Sequence, residues 1–305
     1  MKLVERILAG DVRALARAAT FVEAQTATGR ELISELFSRT GRGKIIGITG
    51  PPGAGKSTLV SQLARVIRGR GQTLGIIAVD PSSPYSRGAL LGDRIRMQEH
   101  HADPGVFVRS MATRGTLGGL AQGTLEMALL FDASGRDFVI IETVGVGQDE
   151  IDITRLADVT VLVLTPGVGD DVQAIKAGIM EIADVFAINK ADMPDAARLE
   201  QEIRAMQSLG EETDRAGAAP LRRVVASKGQ GVEELLEVIE QVFEKRTRGS
   251  RQRAWRERLR EMLRERLLAV LPPHAIEEHA KRVAEKLEDP YTAVDALVGV
   301  LARLT

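Results

Sequence analysis

From Lys44 to about Phe243, short apolar runs alternate with segments whose apolar positions recur every three or four residues. The runs are Lys44–Thr49, Leu74–Asp80, Val106–Arg109, Phe138–Glu142, Val159–Leu164, Val185–Asn189 and Arg223–Ala226. Several are β-branched and unbroken rather than alternating, the pattern of strands covered on both faces. Between them the spacing predicts helices over Lys56–Arg68, Gly119–Phe131, Asp171–Glu181, Ala196–Gln207 and Val232–Phe243. Such alternation predicts an α/β fold: a doubly wound, mostly parallel sheet with ligand sites beyond the carboxyl ends of its strands.

Both flanks are helical in pattern. LVERIL, VRALARAATFVEA and ELISELF carry apolar residues at helical spacing, and Asp11 is a natural N-cap for the second of these segments. Gly41-Arg42-Gly43 then breaks the pattern. Beyond Lys245 the chain becomes basic, with Trp255, Leu259, Leu263 and Leu267 four apart. Pro272-Pro273 interrupts that helix, and HAIEEHAKRVAEKLED and YTAVDALVGVLARL predict two more. The expected division is a helical extension over 1–40, a nucleotide-binding domain over 41–245 and a helical arm over 246–305. Glu257, Glu261 and Glu265 are interleaved with the arm's basic residues, so its charge reads as a solvated helix face.

Composition narrows the function classes. The 305 residues are 44% hydrophobic, enough for a sizeable core, and the net charge of −1 gives no argument for nucleic acid or membrane binding. With no cysteine, disulfides, thiolate metal sites and cysteine nucleophiles are excluded. The opening MKLVERILAG carries charge inside its apolar stretch, unlike a signal peptide, and no apolar run reaches membrane-spanning length. The expectation is a cytoplasmic protein.

The chemistry concentrates at strand ends. Directly after the first apolar run comes Gly50-Pro51-Pro52-Gly53-Ala54-Gly55-Lys56-Ser57-Thr58, a glycine-rich loop that opens a helix. Such a loop aims successive N–H groups at one spot, where the helix dipole adds positive potential. Glycines at 50, 53 and 55 allow positive φ and close approach to phosphate. Lys56 is expected to reach the β- and γ-phosphates, and the Ser57 hydroxyl to ligate Mg²⁺.

Asn189-Lys190-Ala191-Asp192 follows another predicted strand and fits guanine recognition. A carboxylate at Asp192 can accept from N1–H and from the exocyclic amine. Adenine offers neither, and a site built to bond a group rejects the analogue lacking it. Asn189 is expected to support the loop and contact N7, while the Lys190 stem covers the base. Val225-Ala226-Ser227 would complete the pocket with a backbone N–H to guanine O6. The usual pattern there begins with Ser, so Val225 removes a hydroxyl that supports the pocket.

Phe138–Glu142 ends in a carboxylate, with Gly145 three residues on. Asp is usual at that position. Glu142 has a longer arm that could reach a metal-bound water, and the Gly145 N–H could sense the γ-phosphate. Asp80 and Asp93 are further candidates for the Mg²⁺ shell, because Mg²⁺ prefers carboxylate and water oxygens. Arg87, Arg94, Arg109 and Arg114 sit in predicted loops near the same edge. Any one could neutralise transition-state charge, though each alone reads as a surface or structural arginine. No Gln occupies an obvious water-positioning slot, Gln148 being the nearest candidate, so intrinsic hydrolysis is expected to be slow until a partner completes the site. Thr165–Lys176, with two glycines and paired carboxylates, reads either as a loop reporting nucleotide state or as an Asp-capped helix start. His100 and His101 are adjacent and do not share a helix face.

These segments together resemble a known family. GPPGAGKST, AVDPSSPYSRGALLGDRIRM, the stretch Arg109–Ala121, ETVGVGQ, Pro166–Asp184 and NKAD are similar to the MeaB/ArgK family of GTPases over nearly the whole chain. The resemblance implies GTP/GDP and Mg²⁺ as ligands, with Lys56, Ser57, Asp80, Asp93 and Glu142 at phosphate and metal positions. It implies a homodimeric chaperone that gates cobalamin loading of an adenosylcobalamin-dependent acyl-CoA mutase, such as methylmalonyl-CoA mutase or a 2-hydroxyisobutyryl-CoA mutase, and protects it. It also makes Thr165–Lys176 a partner-facing switch loop and 246–305 a dimerisation arm. Asp149 stands where many relatives carry Ser, which adds charge beside the switch. Two other readings remain open: a kinase of transport-system binding proteins, for which no acceptor-activating base is evident, and a nickel-insertion GTPase, for which Cys or spaced His ligands are missing.

Overall fold

The computed structural model describes residues 2–80, 103–112, 119–143, 153–154, 156–167, 183–209, 218–245 and 248–304. The chain divides into two compact units, Met1–Thr247 and Arg248–Thr305.

The first unit is built on seven strands: β1 (Lys44–Thr49), β2 (Leu74–Asp80), β3 (Val106–Ala112), β4 (Phe138–Glu142), β5 (Val159–Leu164), β6 (Val185–Ile188) and β7 (Leu221–Arg223). They form one sheet in the order β3-β2-β4-β1-β5-β6-β7, and every pairing is parallel. The α/β expectation therefore holds. The central strand β1 has β4 on one side and β5 on the other, so strand order reverses beside it. That is where open α/β sheets leave a crevice for ligands. The register brings the strand ends level, with Ile48 opposite Glu142 and Thr49 opposite Leu162.

Helices α4 (Lys56–Gly69) and α7 (Val232–Glu244) bury their apolar stripes on one core, where Leu59, Leu63, Ile67, Leu235 and Ile239 meet Ile46, Phe138 and Val161. Each such fully buried side chain stabilises the fold by about 1.5–3 kcal/mol relative to exposure. Helix α6 (Ala196–Leu209) covers β5 and β6 through Leu199 and Ile203. On β2 and β3, Phe131 of α5 (Gly119–Ala133) lies over Gly75, where a Cβ would strike its ring, and meets Phe107 edge-on at 5.2 Å.

The N-terminal helices α1 (Leu3–Leu8), α2 (Val12–Glu23) and α3 (Ala27–Leu36) pack together, and α2 and α3 rest on α5. Asp11 is the N-cap of α2, accepting from the N–H groups of Arg13 and Ala14 at 2.9 and 3.1 Å. The Arg6 guanidinium bonded to it holds its carboxyl below the usual range. The break at Gly41–Gly43 is fastened to α5, because buried Asp132 accepts from the N–H groups of Gly41, Arg42 and Gly43.

Three strands differ from expectation. β6 ends at Ile188, one residue short of the expected Asn189. β3 runs on to Ala112, so Arg109 lies within a strand rather than in a loop. β7 is Leu221–Arg223 instead of Arg223–Ala226. The β-branched pair Val224-Val225 looks like strand, but Val225 forms an antiparallel bridge with Gln230, and Ala226–Lys228 is a 3₁₀ turn. The expected helix Asp171–Glu181 lies outside the described residues.

The second unit comprises α8 (Arg248–Val270), α9 (Pro273–Ala284) and α10 (Pro290–Leu304). Pro272 is the N-cap of α9 and Pro273 occupies its first turn, which explains the break after α8. Arg258 lies 5.1 Å over the Trp255 ring, whereas Leu259 and Leu263 are 58% and 59% exposed. Among the described residues, no helix is long and apolar enough to cross a membrane.

Candidate nucleotide-binding site

The loop between β1 and α4 takes the shape its glycines permit. Gly50, Gly53 and Gly55 have φ of 138°, 76° and 86°. A Cβ on Gly50 would overlap the Val163 carbonyl of β5, and one on Gly55 would overlap the Asn189 side chain. Gly50 and Gly55 are therefore set both by backbone conformation and by close neighbours.

Side-chain nitrogens hold the loop's carbonyls. Buried Lys56 donates from Nζ to the carbonyls of Gly50 and Pro51 at 2.7 and 2.9 Å. Asn189 Nδ2 donates to the Ala54 carbonyl at 2.8 Å, and Lys190 Nζ to that of Gly53 at 2.9 Å. Each of these carbonyls is engaged from a neighbouring side chain. Pro51 and Ala54 are buried, whereas Pro52, Gly53 and Thr58 are exposed.

At the start of α4 the Ser57 hydroxyl donates to Glu142 Oε1 at 2.5 Å. Glu142 ends β4 and is buried. Next to it, the buried hydroxyls of Thr143 and Thr49 bond at 3.1 Å. Two hard oxygen donors from different elements thus converge beside the phosphate loop. Asp80 closes β2 on the same sheet edge, two residues beyond the Ala78–Glu142 pairing. Its side chain, like Asp93 and Gly145, lies outside the described residues, as do Arg87, Arg94, Arg114, Gln148, the pair His100-His101, Asp149 and all but the first three residues of Thr165–Lys176. Arg109 does not reach this edge with a free charge. Its guanidinium pairs with Glu23 of α2 and tethers β3 to the N-terminal helices.

The segments expected to recognise a base come together beyond β6. Buried Asn189 accepts on Oδ1 from the N–H groups of Lys190 and Ala226, at 2.8 and 3.0 Å, while holding Ala54 through Nδ2. One amide thereby joins the phosphate loop, the 189–192 segment and the 225–227 turn. Lys190 takes φ of 55°, and the Ala191 N–H donates to the Val224 carbonyl at 3.1 Å. Exposed Asp192 bonds Lys228 Nζ at 2.8 Å, a donation that holds its carboxyl below the usual range. Ser227 is exposed in the middle of the 3₁₀ turn. In place of the hydroxyl that Val225 lacks, main-chain bonds between Val225 and Gln230 close this turn, at 3.0 and 3.3 Å. Sequence reasoning missed Lys228 and Gln230. Lys228 follows the 225–227 segment directly, and its charge was the available signal.

A family model described as "Methylmalonyl Co-A mutase-associated GTPase MeaB" matches residues 15–278. The chain belongs to the MeaB family of GTPases. A Pyrococcus abyssi protein named as a GTPase is 46% identical to this MeaB-family chain, covering 97% of it and 95% of the relative. The mouse "Methylmalonic aciduria type A homolog, mitochondrial" is 36% identical over 77% of this chain and 61% of its own length. The crystal structure of a protein named "LAO/AO transport system kinase" superimposes with a TM-score of 0.74 at 26% identity, covering 98% of this chain and 96% of that one. Helicobacter pylori HypB, at 20% identity and a TM-score of 0.50, shares the fold. This MeaB-family chain is thus a P-loop GTPase.

Proposed function

We propose that this MeaB-family protein is a GTP-driven, Mg²⁺-dependent switch that gates cobalamin loading of an adenosylcobalamin-dependent acyl-CoA mutase. The observation that carries the reading is Asn189, which bonds the phosphate loop, the guanine segment and the 225–227 turn at once. Phosphate and base recognition then respond as one body. The family description and the mouse relative's name support a methylmalonyl-CoA mutase as partner.

In this reading Asp192 accepts from the guanine N1–H and exocyclic amine. The Ala226 N–H faces O6, and Lys56 leaves the Gly50 and Pro51 carbonyls to meet the β- and γ-phosphates. The residues present fit Mg²⁺, which takes oxygen ligands around a substrate phosphate and retains waters. Ser57 and Glu142 would hold it, with Asp80 and Asp93 as further shell candidates. When bound, the metal neutralises charge developing on the phosphate oxygens. Gly145 would sense the γ-phosphate, and Thr165–Lys176 would carry the nucleotide state to the mutase. The helices of 248–305 would pair two copies.

Loading provides the test. Apo-mutase is mixed with adenosylcobalamin and this protein, and cofactor binding is followed by absorbance. The proposal predicts that the protein alters loading with GTP and that a non-hydrolysable analogue arrests the change. Loading indifferent to both nucleotides would overturn the chaperone role. The kinase reading, which the name of the superimposed protein suggests, predicts transfer of γ-phosphate label to a protein acceptor instead.

A further inference from the structure

The guanine carboxylate needs a fixed orientation before the base arrives, and the residue that usually supplies a hydroxyl in the neighbouring turn is here Val225. Its side chain is buried, its N–H donates to the Gln230 carbonyl, and its own carbonyl accepts from Gln230 as well as from Lys228. The same turn nevertheless reaches Asp192. The Lys228 N–H donates to the Val225 carbonyl at 2.9 Å, closing the 3₁₀ turn Ala226–Lys228, and Gly229, at φ of 69°, ends it. From the last position of this turn, Lys228 Nζ donates to Asp192 Oδ2 at 2.8 Å. The facing segment is held as well, by the Ala191 N–H on the Val224 carbonyl. Donor and acceptor therefore project from two loops already tied together.

We infer that Lys228 is a positioning residue for guanine selectivity, orienting the Asp192 carboxylate from the turn in which Val225 offers no hydroxyl. The inference rests on the reading of Asp192 as the guanine acceptor. The stoichiometry permits it. A carboxylate has about four acceptor sites, so one bond to Lys228 leaves Oδ1 and a second lone pair on Oδ2 for the two guanine donors. Orienting an acceptor in advance removes part of the ordering cost of binding. The pair is about half exposed, at 55% and 45%, so the effect is modest. Loss of an exposed pair corresponds to about a three- to fivefold change in an equilibrium constant at most.

The experiment compares dissociation constants for GDP and xanthosine diphosphate in four proteins: wild type, Lys228→Met, Lys228→Arg and Asp192→Asn. Lys228→Met in the Asp192→Asn background is added. Asn at 192 donates its amine to the xanthine carbonyl and accepts from N1–H, and it removes the charge that Lys228 pairs with. Lys228→Met should weaken GDP by about threefold or more and raise the pH below which GDP binding fails. Lys228→Arg should restore both. In the Asp192→Asn protein, Lys228→Met should leave xanthosine diphosphate binding unchanged. Nucleotide-free melting temperatures show that each variant is folded. An unchanged GDP constant in Lys228→Met, or equal weakening of both pairs, would overturn the positioning role and leave the guanine reading intact. If Asp192→Asn does not shift preference towards xanthine, the guanine reading itself fails, and this inference with it.

Discussion

Lys56 and Gly50 show how much chemistry a single position carries. With its ammonium bound to the Gly50 and Pro51 carbonyls, Lys56 holds the loop, and in the proposed site it leaves them to meet phosphate. Lys56→Ala should lower GTP turnover by about a hundredfold or more, the scale of losing a positioned cationic or oxyanion donor, as measured by phosphate release. Gly50→Ala meets both a φ of 138° and the Val163 carbonyl. It should cost about 1–3 kcal/mol of stability and abolish GDP binding, read by thermal melting with and without nucleotide. Lys228 keeps the Asp192 carboxyl below the usual range, so Asp192 stays ionised to lower pH than it would without that partner. The Asp192-dependent part of GDP affinity should accordingly persist to lower pH in the wild type than in Lys228→Met, in fluorescence titrations of both proteins across pH. A fall beginning near neutrality would point to a different titrating group. At this scale the phosphate loop was legible from residue identity and spacing. The Val225–Gln230 closure was not, because it is made by main-chain atoms whose partners a sequence does not name.

At the scale of elements, burial decided what could be read. β1, β4 and β5 are apolar along their length and covered on both faces, and their bounds match expectation. β7 is an edge strand whose Arg222 and Arg223 are exposed, so no periodic signal marked it, and Val224-Val225 misled by β-propensity alone. Arg109 is the last residue of the expected strand and so looks adjacent to a loop in the sequence, whereas β3 continues past it to Ala112. The fastening of the 41–43 segment by Asp132 was likewise hidden, since an acid at a helix end reads as solvated surface. Asp132→Ala leaves the three N–H groups of Gly41, Arg42 and Gly43 without their acceptor. It should destabilise the first unit by about 2–4 kcal/mol, measured as a shift in urea midpoint. A change under about 0.5 kcal/mol, the scale of an ordinary surface substitution, would mean that water or another group satisfies those donors.

At the scale of the molecule, the sheet brings the residues proposed for phosphate, metal and base to one edge through its strand order, with β4 and β5 flanking β1. That much follows from the alternation of apolar runs and helices. The role of the second unit does not. The exposed Leu259 and Leu263 of α8 fit the proposed pairing of two chains. Light scattering should give the mass of a dimer for the wild type. The double variant Leu259→Glu, Leu263→Glu should give that of a single chain with GDP affinity retained. The central claim is a guanine-specific switch that answers to a mutase, and its most direct test is hydrolysis of GTP and ATP measured side by side, with and without an adenosylcobalamin-dependent acyl-CoA mutase from the same organism. The account predicts slow, GTP-selective turnover that rises when the mutase is added. Equal turnover of ATP, or GTP turnover unmoved by the mutase, would contradict it.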